Sequence, residues 1–316
     1  MNPPVQPRQD GATIPTVIPV GPSSHRGVGI ALLLGCASLW SLNGLLVKLT
    51  AADPLAFAGL RSAIAAGFVL LLLPISGFGR LAAGPMAASV LSHTLMVGFF
   101  IAAITLGRAA SGVILQYTGP AWVALIAWKL QGERIGGRTV AAVVLTLTGV
   151  VVMLLVPLWR EATFDPVGPL CGLLAGIAFG CLVVMLEKVD RDSGGANALA
   201  IIFINNAGTA LLLVPLALVL DRLHLSTGQW GLITVCGIVQ HALPYLLFQF
   251  GLRRVRPVEA SLLILLEPLL SPTWVAIFIG EYPSRWDILG GIAIFGALLL
   301  EATKKNPPSP ANLAVD

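Results

Sequence analysis

HTLMVGFFIAAITLGRAASGVILQYTGPAWVALIAWKLQGE occupies residues 93–133, and HALPYLLFQFGLRRVRPVEASLLILLEPLLSPTWVAIFIGE occupies residues 241–281, which lie 148 positions later. Eight of the 41 aligned positions are identical. They include a histidine at the start, a proline inside an apolar run and a Gly-Glu pair at the end. A generally apolar composition does not explain matches of these residue types, so the chain is predicted to contain two homologous halves.

The composition indicates that these halves lie in a membrane. Hydrophobic residues make up 56% of the 316 residues, charged residues make up 11%, and the mean hydropathy is +0.89. A soluble domain carries about 25% charged residues, and a disordered chain combines low hydrophobicity with high charge. Nucleic-acid binding needs a clustered basic surface, and a net charge of +4 on so apolar a chain does not indicate one. The sequence therefore does not predict nucleic-acid binding. A polytopic protein whose main partner is the lipid bilayer is the remaining class.

Ten apolar segments follow one another, each close to the roughly 20 residues that a helix needs to cross a bilayer. They lie approximately at 27–48, 54–77, 85–107, 109–129, 139–158, 167–187, 196–220, 229–252, 257–280 and 286–302. None of them alternates apolar with polar residues as a barrel strand does. We therefore predict an all-α integral membrane protein of ten transmembrane helices. The predicted units are residues 27–158 and 167–302, with a disordered tail at 1–26 and a second tail at 303–316.

The basic residues predict the orientation, because Lys and Arg are concentrated in cytoplasmic loops. If the first tail is cytoplasmic, that side has 13 basic residues: Arg8, Arg26, Arg80, Lys129, Arg134, Arg138, Lys188, Arg191, Arg253, Arg254, Arg256, Lys304 and Lys305. The other side has five, namely Lys48, Arg108, Arg160, Arg222 and Arg285. Both termini are predicted to be cytoplasmic.

A repeat of five helices enters the membrane in opposite directions in its two copies, because five is odd. The charges fit this inversion. The loop after the fourth segment has three basic residues and its equivalent after the ninth has one, whereas the loop after the third segment has one and its equivalent after the eighth has three. Inverted repeats are a transporter architecture in which the substrate site lies near the midplane. The predicted fold is thus two inverted five-helix repeats.

Four motifs stand in the apolar segments: Leu39-Trp40-Ser41-Leu42-Asn43, Pro54 through Arg61, Pro120 through Gly132-Glu133, and Glu267-Pro268 through Gly280-Glu281. In these motifs the chain resembles the EamA-type drug/metabolite transporter superfamily of ten-helix bacterial carriers, over about residues 27–303. The resemblance implies a multi-pass protein of a bacterial inner (plasma) membrane. It further implies a secondary transporter of a small metabolite, such as an amino acid or a drug-like compound, that exports its substrate by alternating access.

Ionisable side chains inside apolar segments are the first candidates for the substrate site, because a charge at the bilayer centre costs about 2.5–3.5 kcal/mol on insertion scales. Arg61 is either an anchor for a carboxylate or a structural arginine that reaches the interface. His93 and His241 are either proton carriers or neutral structural groups. Glu267 precedes Pro268 and is either a proton or substrate-ammonium site or a carboxyl group bonded to another helix.

Other polar and aromatic side chains complete the candidate cavity, although each alone also suits helix–helix hydrogen bonding. They are Trp40, Asn43, Gln116, Tyr117, Asn205 and Tyr245. Pro120 and Pro268 are predicted helix breaks, because proline removes a backbone donor. Gly172, Gly176 and Gly180 form a tandem GxxxG pattern that suits packing within the bundle or a dimer interface; we expect a monomer.

Absent motifs narrow the function classes. The sequence has no phosphate-binding GxxxxGK[ST] loop, no HExxH and no GxSxG, and its four cysteines form no metal-binding pattern. We therefore expect no cofactor, no metal and no enzymatic activity. A passive channel or facilitator is the second candidate class, and it lacks a ring of like charges or a filter loop. An intramembrane enzyme is the third, and no aspartate lies in a predicted helix core.

Overall fold

The computed structural model describes residues 26–73, 78–132, 135–195 and 197–303. Apart from Arg26 and Thr303, the two predicted tails lie outside these residues. The described part of the chain is helical and contains no strand. Its ten helical units are α1 (Arg26–Ser41 and Asn43–Thr50), α2 (Pro54–Leu72), α3 (Ala83–Leu106), α4 (Ala109–Gln116 and Gly119–Gln131), α5 (Gly137–Arg160), α6 (Val167–Ser193), α7 (Ala198–Val219), α8 (Thr227–Val235, a π-helical stretch Cys236–Ala242, and Leu243–Leu252), α9 (Pro257–Ile264 and Glu267–Ile279) and α10 (Arg285–Ala302).

Nine of the helical units in the described residues, α1 to α9, are long and apolar enough to cross a membrane. The prediction of an all-helical membrane protein is therefore confirmed. The unit α10 is not among them, because it has only 18 residues and three of these, Arg285, Asp287 and Glu301, are charged.

Local sequence determines where the helices begin. The carboxylate of Asp53 accepts a hydrogen bond from the backbone N–H of Leu55 at 2.9 Å, and Pro54 supplies the fixed φ of a first helical residue. Ser284 and Asp287 form a reciprocal capping box at the start of α10. These caps satisfy backbone donors that would otherwise remain unpaired at a helix start.

The fourth and ninth helices repeat each other position by position. Their starts, breaks and ends all differ by 148 residues: Ala109 and Pro257, Gln116 and Ile264, Gly119 and Glu267, Gln131 and Ile279. Each ends at a glycine with positive φ, Gly132 at 70° and Gly280 at 76°, a conformation that residues with a Cβ adopt at a cost. The offset found in the sequence is therefore also an offset of local structure.

Each break lies just before its proline. Pro120 and Pro268 occupy the start of the second helical part, and the turns that interrupt the helices are at residues 117–118 and 265–266. Proline has no N–H for the carbonyl four residues earlier, and its ring collides with that carbonyl. The carbonyls concerned are those of Gln116 and Ile264, the last residues before the turns.

Extensive helix contacts join one half of the chain to the other. Helix α6 packs on α3 and α4, α1 on α8 and α9, α5 on α10, and α2 on α7. Exchanging the halves turns this set of helix pairs into itself, as expected for related units around a common axis. The largest buried apolar cluster draws residues from both halves, among them Phe57, Ile101, Leu182 and Val275.

The glycine stripe of α6 packs against α4 within the chain. A Cβ at Gly176 would collide with Thr118 Oγ1 and would lie 2.7 Å from the carbonyl oxygen of Leu115. The glycines one turn to either side also contact α4: a Cβ at Gly172 would lie 3.1 Å from Leu115 Cβ in its first part, and one at Gly180 would lie 2.6 Å from Trp122 Cβ in its second part. The stripe therefore serves close packing inside the bundle, where it accommodates the break of α4.

Candidate functional site

Trp40 lies near the break of α1 and begins an aromatic cluster. Helix α1 is interrupted at Leu42, and the Trp40 ring lies next to two aromatic rings of α8. Its centroid is 5.4 Å from that of Tyr245, in an edge-on arrangement, and 5.7 Å from that of Phe248. Trp40 and Tyr245 are both half-buried. Edge-to-face pairs of this kind stabilise aromatic clusters beyond their buried area.

Arg61 is enclosed by α1, α2 and α8 and has no acidic partner among the described residues. It is 2% exposed. Its Nη1 donates to Asn43 Oδ1 at 3.2 Å and to Gln240 Oε1 at 3.5 Å, and its guanidinium lies 5.7 Å from the centroid of the Phe57 ring. Its Nε is buried without a hydrogen-bond partner. Its hydrogen-bond acceptors among the described residues are neutral amides, which leaves the guanidinium able to bind an anionic group.

Gln240, which the sequence analysis did not single out, joins this cluster to α1. Its amide nitrogen donates to the backbone oxygen of Trp40 at 3.4 Å, and its amide oxygen accepts from Arg61. Gln240 lies in the π-helical stretch of α8. Such wide turns are rare and occur frequently at functional sites. The wide turn also brings Gly237 against the Arg61 carbonyl oxygen, which would be 3.0 Å from a Cβ there.

The repeat-related histidines, His93 and His241, are neighbours. Their ring centroids are 6.4 Å apart, and both side chains are buried. His93 Nδ1 lies 2.9 Å from Thr209 Oγ1, and His241 Nε2 lies 2.9 Å from Asn206 Oδ1. Each imidazole therefore has a polar partner on α7. His93 and His241 occupy equivalent positions in the two halves. Two equivalent residues can be neighbours only if both lie close to the axis that relates the halves.

Glu267 forms a second polar centre with Tyr117. The Tyr117 hydroxyl donates to Glu267 Oε2 at 2.7 Å, so the residue in the break of α4 meets the residue that follows the break of α9. Glu267 is half-buried, and no basic side chain of the described residues forms an ion pair with it.

The structure brings most of the predicted site residues into contact with one another. A continuous series of ring contacts joins Trp40, Tyr245, His241 and His93. Asn43 with Arg61, and Tyr117 with Glu267, form two hydrogen-bonded pairs outside this series. The two remaining predicted residues join neither the series nor these pairs. Asn205 is buried and accepts a hydrogen bond from Ser89 Oγ at 3.0 Å, and Gln116 is half-buried without a side-chain hydrogen bond within the described residues.

Together these features define a class of protein: an all-helical, multi-pass membrane protein whose interior holds ionisable and aromatic side chains. The profile of the EamA-like transporter family matches the chain twice, at residues 27–155 and 166–302. The chain belongs to this family and is a membrane transporter of small substrates, so the predicted resemblance is confirmed. The double match identifies the two halves as repeats of one family pattern.

Individual relatives agree with this assignment. The chain is 29% identical over 206 residues to an "Uncharacterized transporter" of Archaeoglobus fulgidus. The match covers 65% of this chain and 72% of that protein. It is also 27% identical over 198 residues to an "Uncharacterized protein" of Pseudomonas aeruginosa. That match covers 59% of this chain and 64% of the relative. A solved crystal structure with 20% identity has a TM-score of 0.56 and covers 87% of this chain and 96% of its own. That likeness concerns the fold.

Proposed function

We propose that the chain is a secondary transporter that moves a small metabolite, an amino acid or a drug-like compound, by alternating access. The observation that carries the proposal is that Arg61 and Glu267 lie inside the bundle without an ion-pair partner among the described residues. One of the two groups is positive and the other is negative. Buried charges are costly unless they are compensated, so such groups mark a substrate or ion pathway.

In this proposal Arg61 binds an anionic group of the substrate and Glu267 binds an ammonium group or a proton. The aromatic side chains Trp40, Tyr117 and Tyr245 would bind an apolar or cationic portion of the substrate. Asn43, His93 and His241 hold the polar side of the site, with Gln116 and Asn205 at its margin. A substrate with both charges would compensate both centres at once, whereas a channel would need weaker sites in series.

The proposed topology has ten spans in two inverted five-helix repeats, with both termini in the cytoplasm of a bacterial inner membrane. Helix α10 would be the tenth span, because its charged residues lie in its terminal turns and residues 288–300 between them carry no charge. The 13-to-5 distribution of basic residues supports the orientation. The repeats would rock about the axis near which His93 and His241 meet. Outward transport rests on the resemblance to the carrier superfamily.

Counterflow in proteoliposomes tests the proposal. Purified protein would be reconstituted and loaded with one unlabelled compound at a time from panels of amino acids, nucleosides and cationic drugs. A carrier accelerates uptake of the labelled compound when the same compound is present inside. Equal uptake with and without internal substrate would indicate a channel, and a chemically altered product would indicate an enzyme. Uptake into inside-out vesicles, driven by a proton gradient, would report export.

A further inference from the structure

We infer that Lys48 and Glu281 form a latch that closes the end of the bundle at which α1 ends. This inference rests on the proposed alternating-access mechanism and adds to it a specific closing element. Lys48 Nζ lies 2.7 Å from Glu281 Oε2, and the two side chains are only 18% and 23% exposed. In the proposed orientation this is the outer end of the transporter.

Both charged groups make a second bond, and both of these bonds are to the α3–α4 loop. Lys48 Nζ donates to the backbone oxygen of Gly107 at 2.7 Å. Glu281 Oε1 accepts from the backbone N–H of Ala109 at 2.7 Å. Ala109 is the first residue of α4, whose N–H has no acceptor within its own helix and whose positive helix end favours a carboxylate. Glu281 therefore binds a cation and a helix start at the same time.

A further hydrogen bond joins the α3–α4 loop to the α9–α10 loop. Arg108 Nη1 donates to the backbone oxygen of Tyr282 at 2.8 Å. The loop that receives these bonds is itself fixed, because Gly107 packs so tightly on Gly168 of α6 that a Cβ at Gly107 would lie 2.8 Å from the Gly168 Cα. Residues 107–109 are thus held in place by α6. The end of α1 and the α9–α10 loop are both hydrogen-bonded to these residues.

The latch joins the two repeats. Lys48 and residues 107–109 belong to the first half of the chain, whereas Glu281 and Tyr282 belong to the second. If the repeats rock against each other, contacts between them at one end must break before that end opens. A partly buried ion pair with two supporting hydrogen bonds resists this more strongly than an exposed pair does.

The opposite end cannot form the same latch. The residue equivalent to Ala109 is Pro257, which has no backbone N–H to donate to a carboxylate. The ion pair across the repeats that the described residues do show there is Arg26–Glu259, at 2.7 Å, and its side chains are 61% and 29% exposed. The asymmetry favours the conformation that is closed at the Lys48 end.

A single reporter cysteine tests the latch. Ser271 lies on α9 between Glu267 and Glu281, is 1% exposed and packs against Gly44 of α1. Ser271→Cys would be made after Cys36, Cys171, Cys181 and Cys236 are replaced by alanine, and an unchanged melting temperature in detergent would confirm that the protein is still folded. A membrane-impermeant maleimide would then be applied without substrate, to intact cells and separately to inside-out vesicles.

We expect Glu281→Gln and Lys48→Met each to increase the rate of labelling from the Lys48 end by about tenfold, and the double variant to add little more. Glu281→Asp retains the charge but is one methylene shorter, and we expect an intermediate rate. Glu259→Gln, which removes the exposed pair at the opposite end, serves as the matched control and should leave the rate unchanged. Unchanged rates in the Glu281 variants, or an equal increase in the control, would overturn the latch. Because labelling needs no substrate, these outcomes are independent of whether counterflow supports the proposed transport.

Discussion

The hydroxyl of Tyr117 donates a 2.7 Å hydrogen bond to Glu267, and this bond joins the break of α4 to the break of α9. The two breaks are equivalent in the repeat, but the residues that meet are not: the position equivalent to Glu267 is Gly119, and the one equivalent to Tyr117 is Leu265. A symmetric backbone therefore carries an asymmetric polar pair. The pair lies where helix dipoles end and backbone groups are exposed, which is where transporters bind substrates and ions.

The Glu267 carboxylate is expected to couple transport to protonation. Glu267→Gln preserves the shape of the side chain and removes its ability to change charge. We expect the variant to lose the pH dependence of net flux in proteoliposomes while exchange of labelled for unlabelled substrate persists. Wild-type flux across the whole acid-to-alkaline range would make Glu267 a structural residue. Glu161→Gln, a carboxylate after α5 that pairs with the exposed Arg285, is the matched control.

Tyr117→Phe tests the hydrogen bond itself. A hydrogen bond to a charged group contributes about 1.5–3 kcal/mol, so its loss should weaken apparent substrate affinity by roughly ten- to a hundredfold if Glu267 needs this donor to bind. The pH profile should shift rather than disappear, because the carboxylate remains. A change in melting temperature with unaltered kinetics would show instead that the bond only stabilises the fold.

Arg61 should discriminate between substrates with and without an anionic group. Arg61→Lys retains the positive charge but loses the planar fork that binds a carboxylate in bidentate fashion. We expect its apparent affinity for a carboxylate-bearing substrate to fall by about tenfold, and its affinity for the matching ester to change little. The comparison is made by competition in the counterflow assay. Equal losses for acid and ester would assign Arg61 a purely structural role.

The helices and their repeat could be predicted because hydropathy and proline operate locally. The offset of 148 residues, found in His93–Glu133, also relates the first residues of α5 and α10, Gly137 and Arg285. The π-helical turn at Cys236–Ala242 could not be predicted, since no single residue type specifies it. Because the contact of Gln240 with Arg61 depends on that turn, it could not be predicted from the sequence either. The Lys48–Glu281 pair was equally hidden, because it depends on how distant segments meet.

The two histidines are predicted to have related but unequal roles. His93→Gln and His241→Gln should both reduce transport, because each removes a buried imidazole from the contact near the axis. We expect the His241 variant to be the more affected, since His241 lies in the π-helical turn and touches the Tyr245 ring, with 5.4 Å between centroids. Thr209→Val removes the hydroxyl that bonds both His93 and Thr94, and so tests these hydrogen bonds without removing an imidazole. Identical wild-type rates in all three variants would contradict a role in transport.

The orientation can be tested by labelling cysteines from outside intact cells. The distribution of basic residues predicts that cysteines introduced at Arg254 and Asn306 face the cytoplasm. A membrane-impermeant maleimide should therefore fail to label Arg254→Cys or Asn306→Cys until the cells are permeabilised. Tyr282→Cys, on the exposed α9–α10 loop, provides the positive control at the outer face. Labelling at position 254 in intact cells would reverse the topology.

Gly176 offers the sharpest test of how the bundle accommodates its broken helix. A methyl group at this position would meet Thr118 Oγ1 and the Leu115 carbonyl oxygen, the latter at 2.7 Å, so α6 would have to move away from the break of α4. Overpacking of this kind costs about 1–3 kcal/mol. Gly67 on α2 is the matched control, because a Cβ there meets nothing within 4 Å and alanine favours a helix by about 1 kcal/mol. Gly176→Ala should therefore lower the melting temperature in detergent by several degrees and reduce counterflow, while Gly67→Ala should raise the melting temperature slightly and leave transport intact. If both variants melt alike, the glycine stripe does not hold α6 against α4, and the close packing at the break is not what stabilises the site.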